Sequence, residues 1–256
     1  MSQIKGIFFD QDGVIIDTER DGHRVAFNET FKEFGYPFEW DVDEYHQLLQ
    51  VAGGKERMRH YYQTKGFGVE LKPEELDELI PRMHKRKTAI FIELIESGRL
   101  PLRPGIHRFM MEIVAAGLKI GVCTTSNEKA AHAVATKILA DIPFDFVLAG
   151  DVVSKKKPDP EIYNLALEKT GLEPDECVVI EDSRNGVLAA KAAGMHVVAT
   201  TNVYTEKEDL HEADIVLTSL GDPDGEKGVL KQGGASLAFD GVLHARQVVS
   251  YFSNGG

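Results

Sequence analysis

Two aspartates one residue apart, Asp10 and Asp12, close the apolar run Ile7-Phe8-Phe9 and are followed at once by Gly13. Alternate residues of an extended chain project to the same side, so both carboxylates can reach one small site. Carboxylates that close repel each other and call for a bound cation or a shared proton. An Asp-x-Asp pair alone equally marks a solvated turn after a strand, so the reading depends on what stands downstream. Three further polar clusters do: Thr124-Thr125-Ser126-Asn127 after IGVC, Lys155-Lys156-Lys157-Pro158 soon after FVLAG, and Glu181-Asp182-Ser183 after CVVI. Carboxylates without His or Cys favour a hard, oxygen-loving ion, with Mg2+ the default. Hydroxyls, backbone N–H groups at a helix start and a lysine are what a phosphate needs. A cation, a phosphate and a spare carboxylate together imply phosphoryl transfer to Asp.

The elements that must position these groups alternate. After the first strand, short apolar runs recur at Lys119–Cys123, Phe146–Ala149, Cys177–Glu181, His196–Thr200 and Asp214–Thr218. Between them, Ile106–Ala116, Glu128–Leu139, Pro160–Thr170 and Asn185–Ala193 have helical periodicity, three of them stopped by Gly117, Gly171 and Gly194. This order predicts an α/β fold, a doubly wound, mainly parallel, Rossmann-like sheet covered on both faces. The carboxyl ends of such strands share one edge, where ligands bind, so the four clusters converge there. Residues 18–99 break the rhythm. Helical patterns at His23–Phe34, Val42–Leu49, Lys55–Lys65, Pro73–Lys87 and Thr88–Ser97 predict an inserted helical cap, placed to act as a lid. The catalytic core is then 1–17 with 100–225, and the Gly-rich stretch opening 226–256 reads as a C-terminal extension of loop and one short element.

The composition, 43% hydrophobic and 27% charged over 256 residues, is that of a globular protein. A net charge of −12 argues against partners read through a basic field, nucleic acid or an anionic membrane, while leaving room for a small anionic substrate. The two cysteines, Cys123 and Cys177, lie in apolar runs and are expected to be reduced core residues, which fits a cytoplasmic protein. No stretch is long enough to span a membrane, and the start of the chain has no signal-peptide pattern. A monomer is expected.

In order and in strand context, Asp10-Gln11-Asp12-Gly13-Val14, the Thr124 cluster, Lys157-Pro158 and Glu181-Asp182-Ser183 resemble the four motifs of the haloacid dehalogenase superfamily. The phrases DTERDGHRVAFNETF, GGKERM, LRPG, KKKPDPEIYNLAL and EDSRNGVLAAKAAGM resemble its CbbY-like subfamily. The resemblance covers about residues 4 to 220. It implies a Mg2+-dependent phosphatase acting on a sugar phosphate, with xylulose-1,5-bisphosphate the characteristic substrate. A phosphomutase of the β-phosphoglucomutase type is the alternative on the same core. In that reading Asp10 is the nucleophile, and Asp12 is the acid for the leaving oxygen and then the base for water. Asp10, the Asp12 backbone carbonyl and Asp182 hold Mg2+, with Glu181 behind them. Thr124, the Thr125 N–H and Lys157 hold the phosphoryl oxygens. Asp12 argues against dehalogenase and phosphonatase chemistry, neither of which keeps a second aspartate.

Substrate choice then falls to the cap. Glu19 and His23, four apart, share one helix face. With Arg24 and the turn Gly53-Gly54-Lys55 they are candidates to touch the sugar or a second phosphate. Arg57 and Arg103 are weaker candidates for a distal phosphate. Lys85, Arg86 and Lys87 read as a solvated charge run, and Trp40 and Tyr45 as cap core.

Overall fold

The computed structural model describes residues 3–51, 53–98 and 100–254. The chain divides into two compact units, residues 1–17 with 101–256, and residues 18–100. The predicted boundary at 99 falls on a residue outside those described.

The first unit is built on β1 (Gly6–Phe9), β2 (Lys119–Cys123), β3 (Phe146–Leu148), β4 (Cys177–Glu181), β5 (His196–Thr200), β6 (Ile215–Leu217) and β7 (Leu230–Gly233), in the spatial order β3-β2-β1-β4-β5-β6-β7. All neighbours are parallel except β6 and β7. β1 lies inside the sheet, between β2 and β4, and is buried throughout. Its register pairs Phe9 with Val122 on one side and Ile180 on the other, so Asp10 and Glu181, one step further on, leave the sheet side by side. Apolar side chains alternate to the two faces of the strand. Phe8 meets Phe146 edge-on at 5.1 Å, within a core that includes Tyr163, Val179, Val187 and Val197, while Phe9 meets Phe109 at 6.2 Å.

The crossovers follow the predicted periodicity, as α5 (Ile106–Ala115), α6 (Glu128–Ala133), α7 (Glu161–Thr170) and α8 (Arg184–Ala192). The single helix expected over Glu128–Leu139 instead widens into π-helical turns over Val134–Ile138. Residues 226–256, read as an extension beyond the core, supply β7 and α9 (Ala245–Ser253), and β7 closes one edge of the sheet. Its residues LKQG lack apolar alternation because they stand at that edge, partly or fully exposed, and the partner β6 rather than local sequence makes them a strand.

The second unit is all helical: a π-helical turn at Thr18–His23, then α1 (Arg24–Glu33), α2 (Val42–Leu48), α3 (Gly54–Lys65) and α4 (Pro73–Glu96). Trp40 and Tyr45 form its core as expected, Trp40 lying 4.8 Å from Phe27 and 4.7 Å from Phe31. The two helices predicted for Pro73–Lys87 and Thr88–Ser97 are one continuous helix of 24 residues containing Pro81. The charge run is a solvated face only in part: Lys85 is exposed and Arg86 half-buried, but Lys87 is not solvated. Lys87 is only 7% exposed, on the stripe formed by Ile80, Met83, Ile90 and Phe91, and Arg86 pairs with Glu33 at 2.6 Å and Glu93 at 2.9 Å.

Candidate active site

The site is assembled at the carboxyl ends of β1, β2 and β4 and in the segment after β3. Asp10 leaves β1 with its N–H still bonded to the Ile180 carbonyl at 2.9 Å, which fixes the carboxylate at the sheet edge. Lys157 reaches it from the loop before α7 and is 9% exposed. Its ammonium donates to Asp10 Oδ1 at 2.6 Å, to Glu181 Oε1 at 2.6 Å and to the Cys123 carbonyl at 3.0 Å. Of the three adjacent lysines the one before Pro158 is therefore the buried one, and Lys155 and Lys156 stay at the surface.

Glu181 is wholly buried, and its oxygens are spoken for. Oε1 accepts from Lys157 and from the Tyr163 hydroxyl at 2.6 Å, and Oε2 accepts from the Asp182 N–H at 3.0 Å. At Gly186 a Cβ would lie 1.9 Å from the Glu181 carboxyl carbon, so only glycine lets α8 start this close to the carboxylate. Asp182 is buried beside it, and its Oδ2 accepts from Asn202 Nδ2 at 2.7 Å. On the β2 side, Thr124 Oγ1 stands 3.3 Å from Asp12 Oδ2, and the Ser126 hydroxyl donates to the same oxygen. The Ser126 N–H donates to Thr124 Oγ1 at 3.1 Å, which closes the turn. Thr125, half-buried, lines a cleft of about 520 Å³ with Asn127, Gly150, Asp151 and Lys156.

Ligand oxygens of Asp10, Glu181 and Asp182 lie within 4.8 Å of one another. Burial, and then repulsion from Glu181 and Asp12, push Asp10 up to about 8 against the pull of Lys157. Burial, then Glu181 and Asp10, hold Asp182 well above the usual carboxylate range. For Lys157, burial works against the charge, but Asp10 and Glu181 outweigh it and raise the group well above an ordinary lysine. If all three carboxylates ionised they would outnumber the one ammonium by two in a water-poor pocket, which is why Asp10 and Asp182 keep their protons until a cation takes their place. That balance and the all-oxygen donor set fit a hard divalent cation, with Asp10 and Asp182 the carboxylates best able to hold it, since the hydrogen bonds of Glu181 are committed.

The structure thus brings Asp10, Asp12, Thr124, Lys157, Glu181 and Asp182 together. It does not bring Arg103 to a phosphate-facing position: the guanidinium donates to the carbonyls of Gly13, Thr200, Thr201 and Thr218, tying loops of the first unit to one another. Arg57 is likewise consumed, by Leu48 O at 3.0 Å, the Tyr45 hydroxyl at 3.0 Å and Val51 O at 3.4 Å. Within the helical unit, Glu19 accepts from the Tyr45 hydroxyl at 2.6 Å, and His23 packs on Phe91 at 3.9 Å with its Nδ1 2.8 Å from Lys87 Nζ. Arg24 donates to the Trp40 carbonyl at 3.2 Å. Gly54 opens α3 and Lys55 is exposed. Burial and then Lys87 hold His23 well below its usual range, and burial with Arg57 brings Lys87 down to about 8. Sequence reasoning missed Tyr163 and Asn202. Asn202 carried a signal, because Thr200-Thr201-Asn202 is a fifth polar cluster at the end of a fifth strand.

A sheet of this order with an aspartate pair, a buried lysine and an acidic pair at its carboxyl edge suits phosphoryl transfer to an aspartate, and comparison with known proteins places the chain among hydrolases. The haloacid dehalogenase-like hydrolase family profile matches residues 4–194. A CbbY-like protein of Arabidopsis thaliana is 46% identical over 248 residues, 95% of this chain and 76% of the relative. Protein CbbY of Rhodobacter capsulatus is 38% identical over 83% of this chain and 92% of its own length. The crystal structure of a mutant CbbY from Rhodobacter sphaeroides in complex with xylulose-1,5-bisphosphate is 37% identical and superposes with a TM-score of 0.65, covering 84% of this chain and 94% of that one. The chain belongs to the haloacid dehalogenase-like hydrolases, on the CbbY-like branch of their phosphatases.

Proposed function

We propose that this enzyme is a Mg2+-dependent phosphatase of a sugar phosphate, with a pentose bisphosphate such as xylulose-1,5-bisphosphate the leading candidate, and that it works through a phospho-aspartate on Asp10. The observation that carries the reading is the buried set of Asp10, Lys157, Glu181 and Asp182: a nucleophile, a cation for the phosphoryl oxygens and a seat for a metal at one sheet edge. The CbbY structure with xylulose-1,5-bisphosphate supports the choice of substrate class.

Asp10 attacks phosphorus, and its Oδ1, already paired with Lys157, is held so that the attacking carboxylate cannot rotate away. Lys157 neutralises phosphoryl charge as it builds up, and the Thr124 hydroxyl and the Thr125 N–H orient the phosphoryl oxygens. Asp12, half-buried and aligned by Thr124 and Ser126, gives a proton to the departing sugar oxygen and later takes one from water. Asp10, the Asp12 carbonyl and Asp182 would hold Mg2+, which when bound offsets negative charge on the transferring group. Glu181 fixes Lys157 rather than binding the ion. We assign sugar recognition to Glu19, His23, Arg24, Gly54 and Lys55 of the helical unit. Two free, buried cysteines suit a reducing compartment such as the cytoplasm.

The test is phosphate release from a panel of mono- and bisphosphorylated pentoses and hexoses, with Mg2+ or with EDTA. The expected result is metal-dependent release that prefers a sugar bisphosphate. Conversion of primed glucose 1-phosphate to glucose 6-phosphate without free phosphate would replace the reading with a phosphomutase. No turnover of any member would overturn it.

A further inference from the structure

We propose that Asn202 is a positioning residue for the cation site: its side-chain amide binds one oxygen of Asp182 and so presents the other to the metal. The inference rests on the reading of Asp10 and Asp182 as the cation's carboxylates.

The orientation of the amide follows from its partners. Asn202 Oδ1 accepts from the Tyr204 N–H at 2.9 Å and the Thr205 N–H at 3.1 Å, and the Asn202 N–H donates to Thr205 Oγ1 at 3.1 Å. The carbonyl oxygen is therefore spent on the turn after β5, and a flipped amide would set its NH2 against two backbone donors. The nitrogen is left to point at Asp182 Oδ2, 2.7 Å away, and at the Gly13 carbonyl, 3.5 Å away.

The frame around this pair is tight. Gly13 has φ +84°, and a Cβ there would lie 2.1 Å from Asp182 Oδ2 and 2.7 Å from Asn202 Nδ2. The glycine of the aspartate turn thus serves two ends, the left-handed backbone and the room for this hydrogen bond. Arg103 anchors both sides of the same frame, since its guanidinium binds the Gly13 carbonyl and the carbonyls of Thr200 and Thr201, the two residues before Asn202. A carboxylate with one oxygen held by a donor on a braced turn has its second oxygen fixed in direction. Partners of this kind are worth about 10- to 100-fold in metal affinity.

The test separates the turn from the donor. In Asn202→Ser a short hydroxyl can still accept from the turn's N–H groups but cannot reach Asp182. Asn202→Thr does the same and serves if the serine variant melts before assay. Each protein is titrated with Mn2+ without substrate, following loss of the free-ion electron paramagnetic resonance signal, and circular dichroism checks the fold. The expected result is Mn2+ binding about 10- to 100-fold weaker than in the parent, with the Mn2+ needed for half-maximal phosphatase rate rising by the same factor. Folded variants that bind Mn2+ within twofold of the parent would overturn the inference and leave the cation site standing. A parent enzyme that binds no Mn2+ would overturn both.

Discussion

The burial of Asp10 makes metal binding a proton-exchange reaction, and its size can be worked out. Burial and the neighbouring carboxylates push Asp10 up to about 8 in the metal-free protein. At pH 7 about nine-tenths of such molecules carry the proton, and at pH 9 about a tenth. A cation needs the carboxylate, so its binding expels that proton. Apparent affinity should rise at least about tenfold per pH unit below 8, or about 1.4 kcal/mol per unit, because Asp182 is held up as well and must also be a carboxylate to bind. Calorimetric titration with Mg2+ at pH 7 in two buffers of different ionisation heat should report release of at least about 0.9 proton per ion, Asp10 supplying that share and Asp182, also held well above the carboxylate range, adding to it. The same linkage acts on stability. The folded value lies above the unfolded value of 3.8, so the folded chain holds a proton that the unfolded chain lacks. That contribution is fully present below about pH 4 and is lost as pH rises to about 8, at about 1.4 kcal/mol per unit. The melting temperature in EDTA should therefore fall relative to that in saturating Mg2+ as pH goes from 5 to 8. Parallel melting curves over that range, with no proton released on binding, would refute the reasoning.

Two substitutions probe the supports of the site. Tyr163→Phe removes the hydroxyl on buried Glu181 and keeps the ring against which Lys157 stands at 5.1 Å. A hydrogen bond to a charged group is worth about 1.5–3 kcal/mol, so urea unfolding should show a loss of that order, with unchanged stability the contrary result. Arg103→Lys exchanges a planar fork serving four carbonyls for one ammonium that cannot span them. Stranded carbonyls cost about 1–3 kcal/mol each, so a destabilisation of about 3 kcal/mol is expected in the same assay, and a neutral outcome would mean that the tie is slack.

Much of the site was legible because a parallel sheet turns a one-dimensional pattern into a place. Asp10, Thr124 and Glu181 each follow an apolar run, and the register brings those run ends to one edge. Lys157 could be chosen among three lysines only through the Pro158 that follows it in the motif, and the structure shows that lysine to be the buried one. Tyr163 was hidden because a tyrosine on the core face of a helix reads as packing until its hydroxyl meets Glu181. Lys87 was misread from its neighbours in sequence, whereas its neighbours on the helix, Met83, Ile90 and Phe91, are apolar and buried. The π-helical turns at Thr18–His23 and Val134–Ile138 have no periodic signature, and β7 exists only because β6 offers an edge. Arg103 illustrates the limit of charge as a guide, since backbone carbonyls claimed it rather than an anion.

The central claim is that Asp10 attacks phosphorus, and trapping tests it most directly. The enzyme with Mg2+ would be mixed with a 32P-labelled sugar bisphosphate, quenched in acid within milliseconds, and the labelled peptide mapped. The account predicts label on the peptide carrying Asp10, labile to hydroxylamine, and absent in Asp10→Asn together with turnover. Turnover without any labelled protein, or an Asp10→Asn variant as active as its parent, would contradict it.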